Sequence, residues 1–378
     1  MPDVIIYGDT ARNPELRHEL PLMLGDPFLY LEKDGRKVVV ITDFEWPRIK
    51  ESGVDVELIS PYTLGLDELM DSGKKFWQIA LELALRGVKQ VGVTSATVPH
   101  TFPLGLADLL RDNGVELNVD REFFNERRRV KNATEIDGIR RAQRAAEAGM
   151  DAARDLFRRA QPSNGSLLVD GEPLTSERVK LAIQTAFTAH GCTADEFIVS
   201  HGAQSAIGHD MGSGEIKAGE PIVIDLWPRD GETACYADMT RSFCIGEIPD
   251  ELRDYHRVAK ESLDKSIAAL KAGVKGSEVN AVSCEPFHAA GYKTLLNKEP
   301  GEIVETGYFH SLGHGVGLEV HEQPNLSRIG EALVAGDVVT IEPGMYRRGW
   351  GGCRLEDLVL VTQNGAENLT QYPYDLEP

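Results

Sequence analysis

Between residues 132 and 362 one order of elements is read twice: two helices, then a set of strands. Asn132 and Glu135 form a capping-box signature that opens a helix running to about Ala160, where Gln161-Pro-Ser-Asn-Gly165 stops it. A second helix, Ser176–His190, ends at Gly191. Strands are expected at Glu196–Ser200, Pro221–Leu226 and Tyr236–Ile245. Asp250, after Pro249, then caps a helix to about Ala272, and Ser277–Ala290 follows, with Pro286 expected to kink it. Strands return at Tyr308–Ser311, Val338–Glu342 and Arg354–Thr362. The two stretches share no visible sequence identity. The repeated order therefore suggests two similar halves around one site, an α+β arrangement.

Residues 1 to about 120 have a different texture. Short apolar runs at Val4–Tyr7, Phe28–Glu32, Lys37–Thr42, Val56–Ser60, Val91–Ser95 and Val115–Val119 alternate with helical patterns at Leu66–Leu85 and Leu104–Arg111. Asp34-Gly35 between two of the runs is a hairpin signal. This reads as a smaller α/β domain without a nucleotide-binding fingerprint. Asp120–Lys131 is densely charged and reads as the crossing between domains, solvated or salt-bridged rather than a nucleic-acid patch. A chain of 378 residues exceeds one ordinary core, and the expected domains are 1–125 and 126–378.

A formal charge of −20 argues against non-specific nucleic-acid binding, which needs Lys and Arg to neutralise phosphates. The five cysteines are scattered, odd in number and outside CxxC pairs, as expected of reduced, packed thiols in a cytoplasmic protein. Met1-Pro-Asp-Val-Ile-Ile-Tyr7 lacks the basic and long apolar regions of a signal peptide, and no apolar run of about 20 residues exists to span a membrane.

Chemistry concentrates at His310-Ser-Leu-Gly-His314-Gly-Val-Gly-Leu-Glu-Val-His321-Glu322, which holds three of the ten histidines. Gly313, Gly315 and Gly317 flank His314, so backbone can pass close to it. Lone buried histidines are mostly packing residues; three together among glycines point towards ligation or proton transfer. Asp225 and Asp238 sit on neighbouring candidate strands, thirteen positions apart, a spacing that can set them directly opposite in a hairpin. Glu342 and Glu356 interrupt apolar strand patterns, and buried acids are rarely left without a partner. Four strand carboxylates and an imidazole suit a pair of divalent ions such as Mn²⁺, Co²⁺ or Zn²⁺.

The segments Ile224-Asp225, Ala237-Asp238-Met-Thr-Arg241, His310–Glu322, Thr340-Ile-Glu342-Pro-Gly-Met-Tyr346 and Arg354-Leu-Glu356-Asp357 resemble the five motifs of the pita-bread metallopeptidases, over residues 130 to 370. Within that family the added N-terminal domain and the ending Asn364–Thr370 are similar to the prolidase, aminopeptidase P and creatinase branch. The resemblance implies a C-terminal pita-bread domain with pseudo-twofold halves behind a creatinase-like N-terminal domain. It implies two divalent ions, with Asp225 chelating one, Asp238 and Glu356 bridging, and His314 and Glu342 on the other. Glu342 would be the proton acceptor. His209 and His321 would face the substrate, and Arg354 would support the metal-binding acids. His310 stands between lining the pocket and merely packing. The implied substrate is a Xaa-Pro dipeptide or a peptide with proline second, and the implied assembly a homodimer. Two other readings keep the same fold: a metal-free creatinase-type hydrolase, and a non-enzymatic binding protein. The intact set of five ligands speaks against both.

The chain departs from the family at Asp225–Asp238, where Trp227 replaces a small residue and two residues are added to the usual spacing of about eleven, which preserves facing because side chains alternate. The added residues are expected in an extended hairpin tip around Pro228–Thr233, with Trp227 either a wall of the cleft or a contact to a neighbouring segment.

Overall fold

The computed structural model describes residues 2–163 and 165–378. They divide into two compact units, Met1–Arg128 and Arg129–Pro378.

The first unit is built on a six-stranded sheet: β1 (Val4–Gly8), β2 (Phe28–Lys33), β3 (Arg36–Val40), β4 (Glu57–Ile59), β5 (Ser95–Val98) and β6 (Glu116–Val119). The spatial order is β4-β3-β2-β1-β5-β6. β2 and β3 form the hairpin around Asp34-Gly35, where both residues take positive φ. Alternation along the strands splits the apolar residues between two cores. Ile5, Leu29, Leu31, Val38 and Val40 face one side; Val4, Ile6, Phe28, Tyr30 and Val39 face the other. A sheet covered on both faces in this way is an α/β layer.

Three expectations fail here for local reasons. The single helix over Leu66–Leu85 is two, Leu66–Met70 and Phe76–Val91, parted at Gly73 with φ of 71°. The apolar pattern runs on through the break and hides it. Val91 closes a helix instead of opening a strand; Gly92 follows in the left-handed conformation and ends that helix. The charged crossing at Asp120–Lys131 is largely helical, over Arg121–Arg129, with the Phe123 N–H donating to the Asp120 carboxylate. Three of its four arginines are paired: Arg127 with Glu32 and Glu19, Arg128 with Glu15, and Arg129 bidentately with the buried Asp337.

The second unit repeats one plan. The helix Ala133–Arg159 begins at Asn132, whose side chain accepts from the Glu135 N–H while Glu135 reaches back to the Asn132 N–H. Losing such a cap costs about 1 kcal/mol. This helix packs on Ser176–Ala189, and a second pair, Asp250–Ala269 and Gly276–Ala289, packs likewise. Asp250 is the first helical residue, not the cap; Pro249 holds that position. The first helix pair precedes antiparallel strands in the order Ile198–His201, Ile222–Leu226, Met239–Phe243. The second precedes Gly313–Gly315, Val338–Ile341 and Asp357–Val361, neighbours in that same order within a five-stranded sheet. Ile222, Val223 and Ile224 are all buried, each worth about 2 kcal/mol of transfer free energy.

The expected strand Arg354–Thr362 is not one strand. Gly351–Arg354 pairs with Gly344–Arg347 in a four-stranded sheet, and Asp357–Val361 pairs with Val338–Ile341 in the five-stranded one. Leu355 and Glu356 make the step between sheets. The strand expected over Tyr308–Ser311 is Thr306–Tyr308, which leaves His310 outside it. Among the described residues, no helix is long and apolar enough to cross a membrane.

Candidate active site

Each half of the second unit delivers two acids from equivalent places. Asp225 lies near the end of one middle strand, and Glu342 directly follows the other. Asp238 stands just before the third strand of its half, and Glu356 just before the third strand of the other. The ladder does not set Asp225 opposite Asp238, as the spacing suggested. Asp225 pairs with Thr240, and Asp238 lies two residues upstream, outside the strand. The two aspartates still border one cavity, and the Thr240 hydroxyl donates to the Glu356 carboxylate at 2.7 Å.

The residues added between the aspartates extend the hairpin, as expected: Arg229 bridges Tyr236, the Asp230 N–H donates to the Cys235 carbonyl, and Asp230–Ala234 form the tip. Arg229–Asp230 pairs with Cys192–Thr193, and the buried Asp230 carboxylate accepts two bonds from Arg141, at 3.0 and 2.9 Å, and two from Thr233, its N–H and its hydroxyl. Gly138 makes room for this: a Cβ there would lie 1.9 Å from Thr233 Oγ1. The loop is thus folded against the long helix. Trp227 lines the cavity.

All nine residues singled out from the sequence border this cavity of about 730 Å³: Asp225, Asp238, His314, Glu342, Glu356, His209, His310, His321 and Arg354. The His314 strand lies close against its neighbour because Gly313 has no side chain; a Cβ there would lie 2.1 Å from the Thr340 carbonyl oxygen. His314 Nδ1 is 3.1 Å from the Gly315 carbonyl. A carbonyl only accepts, so Nδ1 carries the proton and Nε2 the lone pair. Nε2 lies 3.8 Å from both Asp238 Oδ2 and Glu342 Oε1. A lone pair facing two carboxylates is repulsive until a cation comes between them.

The electrostatics agree. Burial, then the charges of Glu356, Asp225 and Glu342, push the Asp238 carboxyl well above the usual carboxylate range. Glu356 is raised by burial, Asp225 and Glu342. Glu342 is pushed up to about 8, chiefly by burial. Burial and the neighbouring His321 drive His314 down to about 4, so its ring is neutral. Ligand atoms of Asp238, His314 and Glu356 all lie within 4.8 Å of one another. Asp225 Oδ1 and Asp238 Oδ1 are buried without a hydrogen-bond partner in the protein. Orphaned oxygens, mutual repulsion and an imidazole lone pair on one point are the chemistry of a cation site, and the donors fit a divalent ion.

The remaining cavity groups are held from behind. Arg354, fully buried, donates to Asp225 Oδ2, to Thr240 Oγ1 at 3.2 Å and to the Tyr346 hydroxyl at 3.2 Å. Tyr346 lies 2.9 Å from His310 Nε2, and His310 Nδ1 lies 2.8 Å from the Ser311 carbonyl. The carbonyl fixes Nδ1 as the donor, so Tyr346 donates to His310. His310 therefore both lines the cavity and completes a hydrogen-bond chain. The ring of His321 lies edge-on to that of His314, 4.1 Å between centroids, and is exposed on the cavity side. His209 is exposed on the loop after Ile198–His201.

The sequence profile of metallopeptidase family M24 matches residues 137–363, well over half the chain. The chain belongs to metallopeptidase family M24. A relative in this family, the Xaa-Pro dipeptidase of Pyrococcus horikoshii, is 28% identical over 301 residues, covering 78% of this chain and 76% of its own. Among solved structures, the Xaa-Pro dipeptidase from Bacillus anthracis superposes with a TM-score of 0.78 at 22% identity, covering 100% of this chain and 94% of its own. The X-Pro aminopeptidase from Thermotoga maritima also reaches 0.78, at 23% identity, covering 99% and 97%. Both superpositions span both units and carry the same pita-bread architecture. The M24 member described here is a peptidase of that fold, with an acid and histidine cluster at the heart of its second unit.

Sequence reasoning assigned no role to Tyr346 or Thr240, although both lie inside motifs it used. Their signal was a hydroxyl two residues after Asp238 and another eight before Arg354. Glu196, Phe309 and Asn325 also line the cavity. Nothing in the sequence pointed to them, because tertiary folding alone brings them there.

Proposed function

We propose that this chain is a dinuclear metallopeptidase that cleaves the bond before a proline in second position, in Xaa-Pro dipeptides or at the N-terminus of longer peptides. The observation that carries the metal is the convergence of Asp238, His314 and Glu356 with the orphaned oxygens of Asp225 and Asp238. Asp225, Asp238, His314, Glu342 and Glu356 would hold the ions, with Mn²⁺ the first candidate and Co²⁺ or Zn²⁺ the others. Bound divalent ions supply Lewis acidity towards the carbonyl and bring a water to hydroxide near neutral pH.

The chain's own groups do the rest. Glu342 takes a proton at Oε2 and returns it to the leaving nitrogen. His321 and His209, on the open side of the cavity, donate N–H to the oxyanion as it develops. Arg354 holds Asp225 in position through its guanidinium and takes no proton. Proline offers no N–H to a recognition site, so its peptides suit an enzyme that grips the carbonyl instead. The dipeptidase name of a 28% identical relative supports the proline preference. We further place the chain in the cytoplasm as a homodimer; its five cysteines are all buried and unpaired, as in a reducing compartment.

Two measurements test the reading. Elemental analysis of reconstituted protein should give about two divalent ions per chain, and exhaustive chelation should abolish activity. Met-Pro-Ala should be cleaved faster than Met-Ala-Ala; full activity after chelation, or the reverse preference, rejects the proposal.

A further inference from the structure

Resting on that reading, we infer that the preferred substrates carry no free carboxylate on the proline: peptides of three or more residues, or amidated ones, over Xaa-Pro dipeptides. In a dipeptide the proline carboxylate lies within roughly 5 Å of the scissile carbon by bond lengths alone. It must therefore be seated inside the cavity, on the walls beyond the five candidate ligands. Those walls include Glu196, Trp227, Phe309 and Asn325, with the three other histidines and a few hydroxyl and aliphatic groups.

Among the described residues lining the cavity, Arg354 is the one lysine or arginine, and its guanidinium is committed to Asp225, Thr240 and Tyr346. Glu196 adds a negative charge to the wall. A carboxylate brought here loses its strong hydration and meets no uncommitted lysine or arginine among the described residues of the lining, whereas a neutral amide loses less hydration and needs no counter-charge. The wall's anion instead complements the other end of a substrate, its α-ammonium group.

The experiment compares Ala-Pro, Ala-Pro-amide and Ala-Pro-Ala with the full-length, Mn²⁺-loaded protein. The expected kcat/KM for Ala-Pro is about tenfold or more below the other two, mostly through KM, as befits a missing charge-assisted contact. Asn325 is the cross-strand partner of His314, so Asn325→Arg puts a cation on the wall beside the site. It should raise Ala-Pro about tenfold relative to Ala-Pro-Ala. Glu196→Gln, a gentler change, should narrow the gap in the same direction. Ala-Pro hydrolysed as well as the other two, or better, overturns the inference and leaves the proposed function standing. A gap that neither substitution moves overturns its assignment to these walls. Failure to cleave any of the three overturns the proposed function and the inference with it.

Discussion

Each unit of this molecule has one crowded cluster of buried carboxylates, and the two clusters are treated in opposite ways. In the first unit Glu32 and Glu19 face each other across a matched set of donors. Arg127 donates to both, Tyr30 donates to Glu32 at 2.6 Å, and Lys37 to Glu19 at 2.8 Å. Glu32 is held below its ordinary range; burial opposes this, and the bonds from Arg127 and Tyr30 overcome it. In the second unit four acids meet one guanidinium, and Asp238, Glu342 and Glu356 all lie above their ordinary range. The first set is finished by the chain itself. The second is finished only by something the chain must bind, so buried acids mark function when they outnumber the donors around them.

The sharpest way to break the contrast is Asp238→Asn. It removes a charge the metal-free fold does not want and a ligand the enzyme needs. Turnover should fall about a thousandfold or more and metal content should drop, while the metal-free protein melts no lower. A metal-free variant that melts well below the parent would equate the two clusters.

Arg127→Met is the converse, leaving Glu19 and Glu32 without their shared cation. We expect a loss of roughly 3 kcal/mol in denaturant unfolding. The kcat of the metal-loaded enzyme should stay within about twofold. A large kcat effect would show that this cluster is not merely structural.

His321→Ala tests the site without touching a carboxylate. Its kcat/KM should fall on the order of a hundredfold, with melting nearly unchanged. Unfolding of this variant would instead make His321 a packing residue.

The smallest effect is on pH dependence. Glu342 titrates in the fold at about 8 against its ordinary 4.5. The folded chain thus keeps a proton that the unfolded chain releases between these values, so stability falls as pH rises through that window. Metal-free protein should lose roughly 5 °C of melting temperature across it, and metal-loaded protein less. A metal-free curve that is flat or rises would remove the electrostatic contrast.

What the sequence disclosed follows from the range of the forces involved. The Asn132–Glu135 cap and the Asp34-Gly35 hairpin are decided within four residues, and both stand as read. Glu342 and Glu356 were visible because each breaks an apolar pattern, and Asp225 and Asp238 because of their spacing on neighbouring strands. The step between sheets at Leu355-Glu356 was not, since the run on either side is uniformly buried and continuous. The facing of Asp225 and Asp238 was taken as a simple hairpin. The observed hairpin runs two residues out of that register, with Asp225 opposite Thr240, and its tip is held at Asp230 by Arg141, a partner 89 positions away. Tyr346 and Thr240 act through partners on other strands, which local pattern does not encode.

The bond from Thr240 to Glu356 joins residues 116 apart in the chain, and that from Arg354 to Asp225 joins residues 129 apart. Closing loops of that length is costly in entropy and comes late in folding. Neither half alone owns a complete set of ligands. A nascent or half-folded chain therefore has no grip on divalent ions, and hydrolysis can begin only once the last long-range contacts are made. Metal uptake by refolding protein would then serve as a clock for the end of folding, lagging behind the recovery of helical signal by the time the two halves take to meet.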